Sequence, residues 1–451
     1  MPKATRWIVL LTLLASFYTI GNLPRHLTLE LFSLFVFVFV TYSVILKFDG
    51  ENVHFWVLGS FGCRMLLFFH LPNLSDDFYR FIWDGRLWLN GMHPFTKLPL
   101  EFLSMNLTGI DQSLFDKLNS KNYFTIYPPV AQGIFMLSAK FSNSIEGCVL
   151  ATRMLILLAE AGSIYLLFKI IAVYKLPKEN VLLYALNPLV IVELTGNLHF
   201  EAFMIFFLLL SFLWFTDDKL VLASAAFALA IGVKLVPIIF LPIFIFIMPW
   251  RKSITFYFSI LMICVLLFIP MYNQQVIDGF SQSLNLYFQK FEFNASLYYL
   301  VREYGFWKYG YNTIQTTGWK MAVGCSIVIM LLILFRNFVL LKKVKGQWSI
   351  VNTPLIIDYR LLTTCLFILT IYFIFATTVH PWYITTLVAL STLSNYRYAL
   401  LWSGLILMTY AGYSVINYSE NLRLVIVEYL LVFAYLSYEI AWKRNASSYS
   451  L

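Results

Sequence analysis

The chain has 451 residues, of which 60% are hydrophobic and only 12% are charged, and its mean hydropathy is +0.76. Soluble globular proteins carry about 25% charged residues, so this composition excludes an ordinary soluble fold. The net charge of +9 does not indicate nucleic-acid binding, because the basic residues fall in short clusters between apolar runs, as in the cytoplasmic loops of membrane proteins.

Apolar runs of about 20 residues, long enough to cross the hydrocarbon core of a bilayer, recur along the chain. The first follows Lys3 and Arg6 and has no small-residue cleavage site after it, which predicts a retained signal-anchor helix. We expect an all-α polytopic membrane protein with about 12–14 transmembrane helices, some shorter runs being half-helices. The predicted apolar helices are 7–20, 29–46, 53–71, 126–142, 148–174, 180–195, 197–215, 219–234, 236–249, 253–271, 318–335, 359–378, 381–394, 397–415 and 422–441.

Two longer polar stretches, residues 72–125 and 272–317, separate groups of apolar runs. Neither is long enough for a soluble domain of its own, so residues 1–451 are interpreted as one integral membrane domain. The sequence contains no internal repeat and no low-complexity segment that would divide it further.

The direction of the helices follows from the basic clusters, which favour the cytoplasmic side of the membrane. The basic N-terminus and the pair Arg251–Lys252 together place both polar stretches outside. Between them, the order of crossings is consistent only if segment 126–142 or segment 148–174 is re-entrant or lies along the interface.

The segment that follows the third predicted helix concentrates acidic, aromatic and basic residues. Because the adjacent carboxylates of Asp76 and Asp77 repel each other, one of them takes up a proton more readily, which suits a general base. The pair could also hold a divalent cation. In a helix, Arg80 would lie one turn from Asp76 and one turn from Asp84. The alternative is a solvated helix start, where aspartates favour the positive end of the helix dipole.

Further polar groups stand beside the predicted membrane helices, where ionisable side chains are unfavourable unless they are used or paired. Each has a structural alternative: a helix break at a proline, a hydrogen-bonded pair, an interfacial aromatic belt, or a cation that reaches the membrane surface. The predicted orientation places these groups on the outer side, and this common placement indicates a functional site. The residues are Tyr127, Asn197, His199, Glu201, Lys234, Asn294, Arg302, His380, Trp382 and Tyr383.

Lys234 lies between two apolar runs and is followed by Pro237. A lysine in this position needs an anionic ligand or a route for its ammonium group to the interface. The proline predicts a break in the helix, which would free backbone groups to face a polar ligand. A phosphate ligand and a snorkelling lysine are therefore the two explanations that the sequence leaves open.

The first polar stretch resembles the first-loop signature of polyprenol-phosphate-sugar-dependent glycosyltransferases of the multi-spanning GT-C superfamily. The signature is an acidic pair, then Trp-Asp-Gly-Arg, then Gly-x-x-Pro-aromatic; here it reads Asp76-Asp77, Tyr79-Arg80, Trp83-Asp84-Gly85-Arg86 and Gly91-Met92-His93-Pro94-Phe95. Later motifs follow as in bacterial mannosyltransferase-like members: Tyr127-Pro128-Pro129, Gly196 to Glu201, Lys234 and Pro381-Trp382-Tyr383. Two features depart from the family, because three predicted helices rather than one precede the acidic loop, and His199-Phe200-Glu201 replaces the common His-x-Asp.

The resemblance implies an inverting transferase that moves a sugar, expected to be mannose, from a polyprenyl phosphate to a glycan or lipid-linked acceptor. The reaction would take place outside the bacterial cytoplasmic membrane. Asp77, or Asp76, would deprotonate the acceptor hydroxyl, and no cofactor is implied unless the acidic pair holds a divalent cation.

The resemblance also implies a set of substrate-binding residues. Lys234 and Arg302, with His380, would offset the charge of the leaving phosphate, and Trp83 and Trp382 would stack on sugar rings. The full implied set is Arg80, Trp83, Asp84, Arg86, Tyr127, Asn197, His199, Glu201, Lys234, Asn294, Arg302, His380, Trp382 and Tyr383.

Two other functions remain open from the sequence. A transporter or flippase of lipid-linked sugars should contain inverted repeats and polar residues in broken helices near the middle of the membrane. A polymerase or ligase of cell-surface glycans would use a diphosphate donor instead. The absence of a repeat and the one-sided placement of the polar residues favour the transferase.

Overall fold

The computed structural model describes residues 1–343, 359–413 and 418–448, which are helical apart from turns, connecting segments and two isolated bridges. Apart from its two ends, a helix satisfies its backbone hydrogen bonds within the same segment, and this makes helices suitable for a chain whose surroundings are apolar. The predicted all-α fold is confirmed for the described part of the chain.

The first part of the chain alternates long apolar helices with short ones. Helix α1 packs against both α2 and α3, and α4 packs mainly against α7. The elements are α1 (Lys3–Asn22), α2 (Thr28–Phe48), α3 (Val53–Leu67), α4 (Asp77–Leu89), α5 (Pro99–Leu103), α6 (Gln112–Asp116), α7 (Pro129–Phe141), α8 (Ile145–Val173), a 3-10 turn (Lys178–Val181), α9 (Leu182–Ala185), α10 (Pro188–Val190) and a π-helical segment (Ile191–Gly196).

The second part begins with the antiparallel pair α11 and α12, which make the most extensive helix contact of the described residues. Its elements are α11 (Glu201–Thr216), α12 (Leu220–Val233), a 3-10 segment (Val236–Phe240), α13 (Leu241–Ile247), α14 (Trp250–Phe268), a 3-10 turn (Ile269–Met271), α15 (Gln274–Gln289), α16 (Leu297–Tyr309), α17 (Ile314–Lys343), α18 (Tyr359–Phe375), a 3-10 turn (Pro381–Tyr383), α19 (Ile384–Thr392), α20 (Tyr398–Leu405), a 3-10 segment (Ile406–Gly412) and α21 (Leu422–Ser448).

Six helices among the described residues are long and apolar enough to cross a membrane, or seven if α10 with its π-helical extension and α11 form one span bent by 113°. Five shorter apolar helices could contribute further crossings, so the expected count of about 12–14 stays a prediction. The six are Lys3–Asn22, Thr28–Phe48, Ile145–Val173, Trp250–Phe268, Ile314–Asn337 and Leu422–Trp442.

Proline marks where several helices begin. Helix α7 starts at Pro129, directly after Pro128, as the double proline predicts, and α10 starts at Pro188. Proline suits the first helical turn because its missing N–H would have no intrahelical partner there. Helix α7 has only 13 residues, about 20 Å against a hydrocarbon core of about 30 Å, and it is neither one of the six long apolar helices nor one of the five shorter ones. This agrees with the expectation that one of the two segments around residue 140 does not cross.

The long helices are joined by buried ionic groups. Arg64 of α3 donates to Glu160 of α8 over 2.7 Å and to the carbonyl of Ala185 over 2.8 Å, while the Tyr184 hydroxyl donates to Glu160 over 2.7 Å. Both charged side chains are fully buried. Removing one partner of such a pair leaves an uncompensated buried charge, so the pair fixes the packing of α3 against α8.

A second buried arginine, Arg153 of α8, supports the break before α11. Its guanidinium donates to the carbonyls of Thr195 and Gly196 over 2.8 and 2.9 Å, and to those of Phe68 and His70 over 2.5 and 2.6 Å. These carbonyls lie where α3 and the π-helical segment end, so they have no partner within their own helices. One side chain therefore satisfies the backbone of a broken helix inside an apolar environment.

The polar stretch 72–125 is not a loose loop. Helix α4 lies against α7 with Gly85 at the contact, where a Cβ atom would stand only 2.3 Å from the carbonyl oxygen of Phe135. A glycine is therefore required for this close approach. The contact holds the start of α4, which carries the acidic pair, in a fixed position.

Candidate active site

Connections from distant parts of the sequence meet at one end of the long helices and form what we call the polar cluster. It contains the α1–α2 connection, the acidic pair, the turn Asn197–Glu201, the segment 291–296 and the turn His380–Tyr383. Contacts join neighbouring members directly, and Phe293 pairs with the 377–379 backbone through hydrogen bonds of 3.0 and 2.8 Å. The structure thus brings together the polar groups that the sequence predicts on one side.

The two aspartates of the acidic pair have different partners. Asp76 accepts a hydrogen bond from Arg25 over 2.7 Å and forms an ion pair with it. Asp77 opens α4 and accepts a hydrogen bond from the Asn119 side-chain amide over 2.7 Å at Oδ1. Both residues are partly exposed, and the other carboxylate oxygen of Asp77 has no hydrogen-bond partner among the described residues. Asp77 is therefore held by a neutral group and is open on one side.

Arg80 and Asp84 are predicted to bind substrate, but the structure places both inside the protein. Arg80 Nε donates to Asp84 over 2.8 Å, and the second oxygen of Asp84 accepts from Thr125 over 2.5 Å and Gln132 over 2.9 Å. Arg80 also donates to the Tyr123 carbonyl over 2.9 Å. Their hydrogen-bonding groups are thus occupied in fixing the 120–125 segment beside α4, and contact with a sugar would require this packing to open.

Trp83, Arg86 and Tyr127 lie on the same helix contact. Trp83 is completely buried and packs near Phe115, so no ring face is open for a sugar. Arg86 donates to the carbonyls of Gly109 and Asn143 over 2.8 and 2.5 Å. Tyr127 packs edge-on against the rings of Phe81 and Phe135. The predicted role of Trp83 as a sugar-stacking residue therefore does not fit this structure.

The turn between the π-helical segment and α11 is built around Glu193, which is completely buried. It accepts from the Tyr410 hydroxyl over 2.6 Å and from the Asn197 amide over 3.3 Å, and one of its oxygens lies 3.4 Å from His199 Nε2. Asn197 in turn accepts from the Leu74 backbone N–H over 3.2 Å. This chain of contacts connects the acidic pair to His199.

A stack of aromatic rings links the turn to the C-terminal part of the site. The His199 and His380 imidazoles lie nearly parallel to Trp382, with centroids 3.7 and 4.4 Å from its own, and Phe293 packs on His380 at 4.5 Å. Two parallel rings so close to Trp382 must occupy its opposite faces. The stacking of Trp382 on a sugar ring stays a prediction, and it would require one of the two imidazoles to move away.

His380 is placed beside two other basic groups. Burial, together with the neighbouring Lys234 and His199, lowers the pKa of His380 to about 3. Its imidazole is then neutral at pH 7, so it can donate a hydrogen bond to an anion but does not add a positive charge. The role of His380 at the phosphate stays a prediction, and a neutral imidazole would fill it by donating a hydrogen bond.

Lys234 ends α12 in an extended conformation, and a 3-10 segment that contains Pro237 follows it. The predicted break is thus present. The ammonium group forms an ion pair with Glu201 and lies 3.8 Å from the centroid of the Tyr383 ring. The structure gives a third explanation besides snorkelling and a phosphate ligand, because the lysine already has an internal anion. A quarter of the Lys234 side chain remains exposed, so a second anion can approach.

Asn294 and Arg302 lie at the far side of the cluster. Asn294 is buried with a positive φ of 46°, and it donates its backbone N–H to Glu420 over 2.5 Å and its amide to Glu428 over 3.1 Å. Arg302 donates to Glu292 over 3.2 Å and lies over the Tyr299 ring at 4.3 Å. Asn294 is thus enclosed, and an incoming phosphate would compete with Glu292 for Arg302.

The sequence leaves open a divalent cation bound by the acidic pair. Among the residues that the structure describes, no group of three or more His, Cys, Asp or Glu side chains is placed to hold a metal ion. A cation at Asp76 would have to displace the guanidinium of Arg25. The residues present fit an ion pair better than a metal site, so no step of the mechanism is assigned to a metal.

Several residues of this site are not predicted from the sequence. Glu193 and Glu428 are carboxylates within apolar segments, and the rarity of such residues in membrane helices is a signal that could have found them. Arg25 and Asn119 have no comparable signal, because polar residues in connecting segments are common. Only the fold places these two against the acidic pair.

An all-helical polytopic chain with an acidic pair near a basic and aromatic cluster has the features that the resemblance to membrane glycosyltransferases of the GT-C type implies. Residues 63–250 match the family model described as alpha-(1->6)-mannopyranosyltransferase, N-terminal domain. The match includes the acidic pair, the broken helix and Lys234, so the family resemblance that the motifs indicate is confirmed. No curated protein matches the chain.

Proposed function

We propose that the protein transfers mannose from a polyprenyl phosphate to a glycan or glycolipid acceptor on the extracytoplasmic side of the bacterial cytoplasmic membrane, with inversion. The observation that carries this proposal is that the turn Asn197–Glu201 contacts the surroundings of both the acidic pair and Lys234, because Asn197 accepts from Leu74 just before that pair and Glu201 pairs with Lys234. Within the family match, one end of the polar cluster offers a base and the other offers a cation. A base deprotonates the acceptor, and a cation offsets the charge of the donor's leaving phosphate.

The chemistry assigned to Asp77 is general base catalysis. The acceptor hydroxyl gives its proton to the free carboxylate oxygen of Asp77 while its oxygen attacks the anomeric carbon of the donor. The bond between that carbon and the phosphate oxygen breaks, and the electron pair leaves with polyprenyl phosphate. Since attack and departure take place on opposite faces of the sugar, the anomeric configuration inverts.

The leaving phosphate gains negative charge, and Lys234 is the group proposed to receive it. The donor phosphate would compete with Glu201 for the ammonium group, because both are anions and Lys234 is only a quarter exposed. Because Lys234 and His199 both act electrostatically on His380, the two imidazoles are the groups proposed to donate hydrogen bonds around the same anion. Arg302 is the second candidate for binding the phosphate. It ranks below Lys234 because its guanidinium already donates to Glu292.

Inversion is tested on the product of the reaction. Purified protein is given a mannosyl polyprenyl phosphate of known anomeric configuration and a mannose-containing acceptor, and one-bond carbon–proton couplings are measured by NMR. The proposal predicts the opposite configuration in the product. Retention would contradict the single-displacement role of Asp77.

The side of the membrane is tested by labelling single cysteines in a variant that lacks the five native ones. Asn122→Cys and Lys308→Cys lie at exposed positions of the two polar stretches, and Lys178→Cys lies at an exposed position between α8 and α9. We expect an impermeant thiol reagent to label the first two in intact cells and Lys178→Cys only after permeabilisation. The reverse pattern, or labelling of the two stretches from different sides, would overturn the extracytoplasmic assignment.

Transport of a lipid-linked sugar is the second candidate, because the bend of 113° before α11 is the kind of helix break that transporters use. A transporter moves its substrate without cleaving it. Release of free polyprenyl phosphate by the purified protein, measured by chromatography, therefore separates the two functions.

A further inference from the structure

The connection between α1 and α2 is held tightly against the acidic pair. The side-chain amide of Asn73 donates to the carbonyls of Ile20 and Leu23 over 2.7 and 2.6 Å. The side chains of Asn22 and His70 are 2.9 Å apart in a second contact. The N-terminal hairpin is therefore attached to the segment that leads into α4, and residues near its tip are fixed relative to the site.

Arg25 is the residue of this connection that reaches the acidic pair. Its guanidinium donates to Asp76 over 2.7 Å and lies 4.7 Å from the centroid of the Tyr413 ring. A cation–π contact and a charge-assisted hydrogen bond thus hold the same group from two directions. Arg25 and Asp76 are 30% and 39% exposed, so the pair borders the open side of the cluster.

The two carboxylates of the acidic pair therefore face different groups. Asp76 is neutralised by a guanidinium, whereas Asp77 meets only the neutral amide of Asn119. With Asp76 held by the guanidinium, its carboxylate is occupied, whereas one oxygen of Asp77 stays open to the acceptor. Without the ion pair, the two adjacent negative charges would repel each other, and Asp76 would compete with Asp77 for the acceptor's proton.

We propose that Arg25 is a positioning residue that neutralises Asp76, so that Asp77 alone acts as the base. This inference rests on the proposed function of the acidic pair. Arg25 lies before residue 63, where the family match begins, so the N-terminal hairpin contributes a group that the matched domain does not contain. The hairpin thus completes the active site besides contributing membrane helices.

The kinetic test compares Arg25→Met, Asp76→Asn and the double variant. Arg25→Met should lower kcat about 5- to 10-fold, as for the loss of a partly exposed ion pair, with the donor KM within about twofold of wild type. Asp76→Asn in the Arg25→Met background should restore most of the loss, because the unbalanced charge is gone. Arg25→Lys should keep part of the activity, since the charge remains.

Arg6 provides a matched control on the same hairpin. It pairs with Asp49 over 2.6 Å at the opposite end of α1 and α2, so Arg6→Met should leave kcat unchanged. A loss in Arg25→Met that appears in the donor KM would make the residue a phosphate ligand and overturn the proposal. A loss that Asp76→Asn does not relieve would make it a structural residue and would overturn the proposal as well.

A second measurement does not depend on transfer activity. Hydrophobic carbodiimides modify protonated carboxyl groups, and mass spectrometry of the peptide that contains both aspartates reports the yield. At pH 7, Arg25→Met should be modified several-fold faster than wild type, Arg6→Met or Arg25→Met/Asp76→Asn. Equal modification rates in all four proteins would overturn the proposal. A faster rate in Arg25→Met alone would support it. Either result holds whichever sugar donor the enzyme uses.

Discussion

Replacing Asp77 by asparagine is expected to abolish transfer while leaving insertion and donor binding intact. The amide cannot accept the acceptor's proton, and general base catalysis is worth about 10²- to 10⁴-fold in rate. The variant keeps the shape of the side chain and a hydrogen-bonding oxygen for Asn119, so the start of α4 should remain folded. Initial rates with purified protein, together with donor titrations, give kcat and affinity separately.

Asp116→Asn is the matched control for this prediction. Asp116 ends α6 in the same polar stretch, and its side chain is 60% exposed with a long contact of 3.9 Å to Lys121. Its replacement should leave the rate unchanged. Asp76→Asn should reduce turnover less than Asp77→Asn, because Asp76 already has a guanidinium partner. Near-normal turnover in Asp77→Asn would remove the base from the mechanism.

Replacing Lys234 by methionine is expected to weaken donor binding by about 1.5–3 kcal/mol, the contribution of a hydrogen bond to a charged group. This corresponds to a loss of roughly 10- to 150-fold in affinity. Methionine keeps the length of the side chain and its contact with Tyr383, but it removes the charge. Titration with a short-chain polyprenyl-phosphate mannose measures the effect.

The control for Lys234 must take account of Glu201, which is buried and would lose its partner. The variant Lys234→Met/Glu201→Gln removes both charges and leaves no unpaired carboxylate. If it binds donor as weakly as Lys234→Met, the loss of affinity comes from the missing contact between Lys234 and the donor phosphate. Lys219→Met, at the other end of α12, should bind donor normally. Unchanged affinity in Lys234→Met would leave Arg302 as the phosphate ligand.

Much of the architecture could be predicted because each feature has a local cause. Apolar runs predict helices in lipid, Pro128 and Pro129 predict the start of α7, and Pro237 predicts the break after Lys234. The convergence of the polar groups could also be predicted, since orientation follows from basic clusters. These inferences use residues that are near each other in the sequence.

The environment of single side chains could not be predicted in this way. A motif gives the residue types at the acidic loop, but it does not distinguish an exposed ligand from a buried partner such as Asp84, whose three contacts come from Arg80, Thr125 and Gln132. The stacking of the His199 imidazole on Trp382 likewise joins residues about 180 positions apart. Such pairings are determined by the packing of the whole fold.

The most direct test of the central claim is a transfer assay with the purified protein and two mannose donors, a polyprenyl-phosphate mannose and a nucleotide-diphosphate mannose. Product is measured on a mannose-containing acceptor, with Asp77→Asn as the inactive control. We predict transfer from the polyprenyl-phosphate donor, equal in amount to the polyprenyl phosphate released, and none from the nucleotide donor. Transfer from the nucleotide donor alone, or release of polyprenyl phosphate that Asp77→Asn leaves unchanged, would contradict the account.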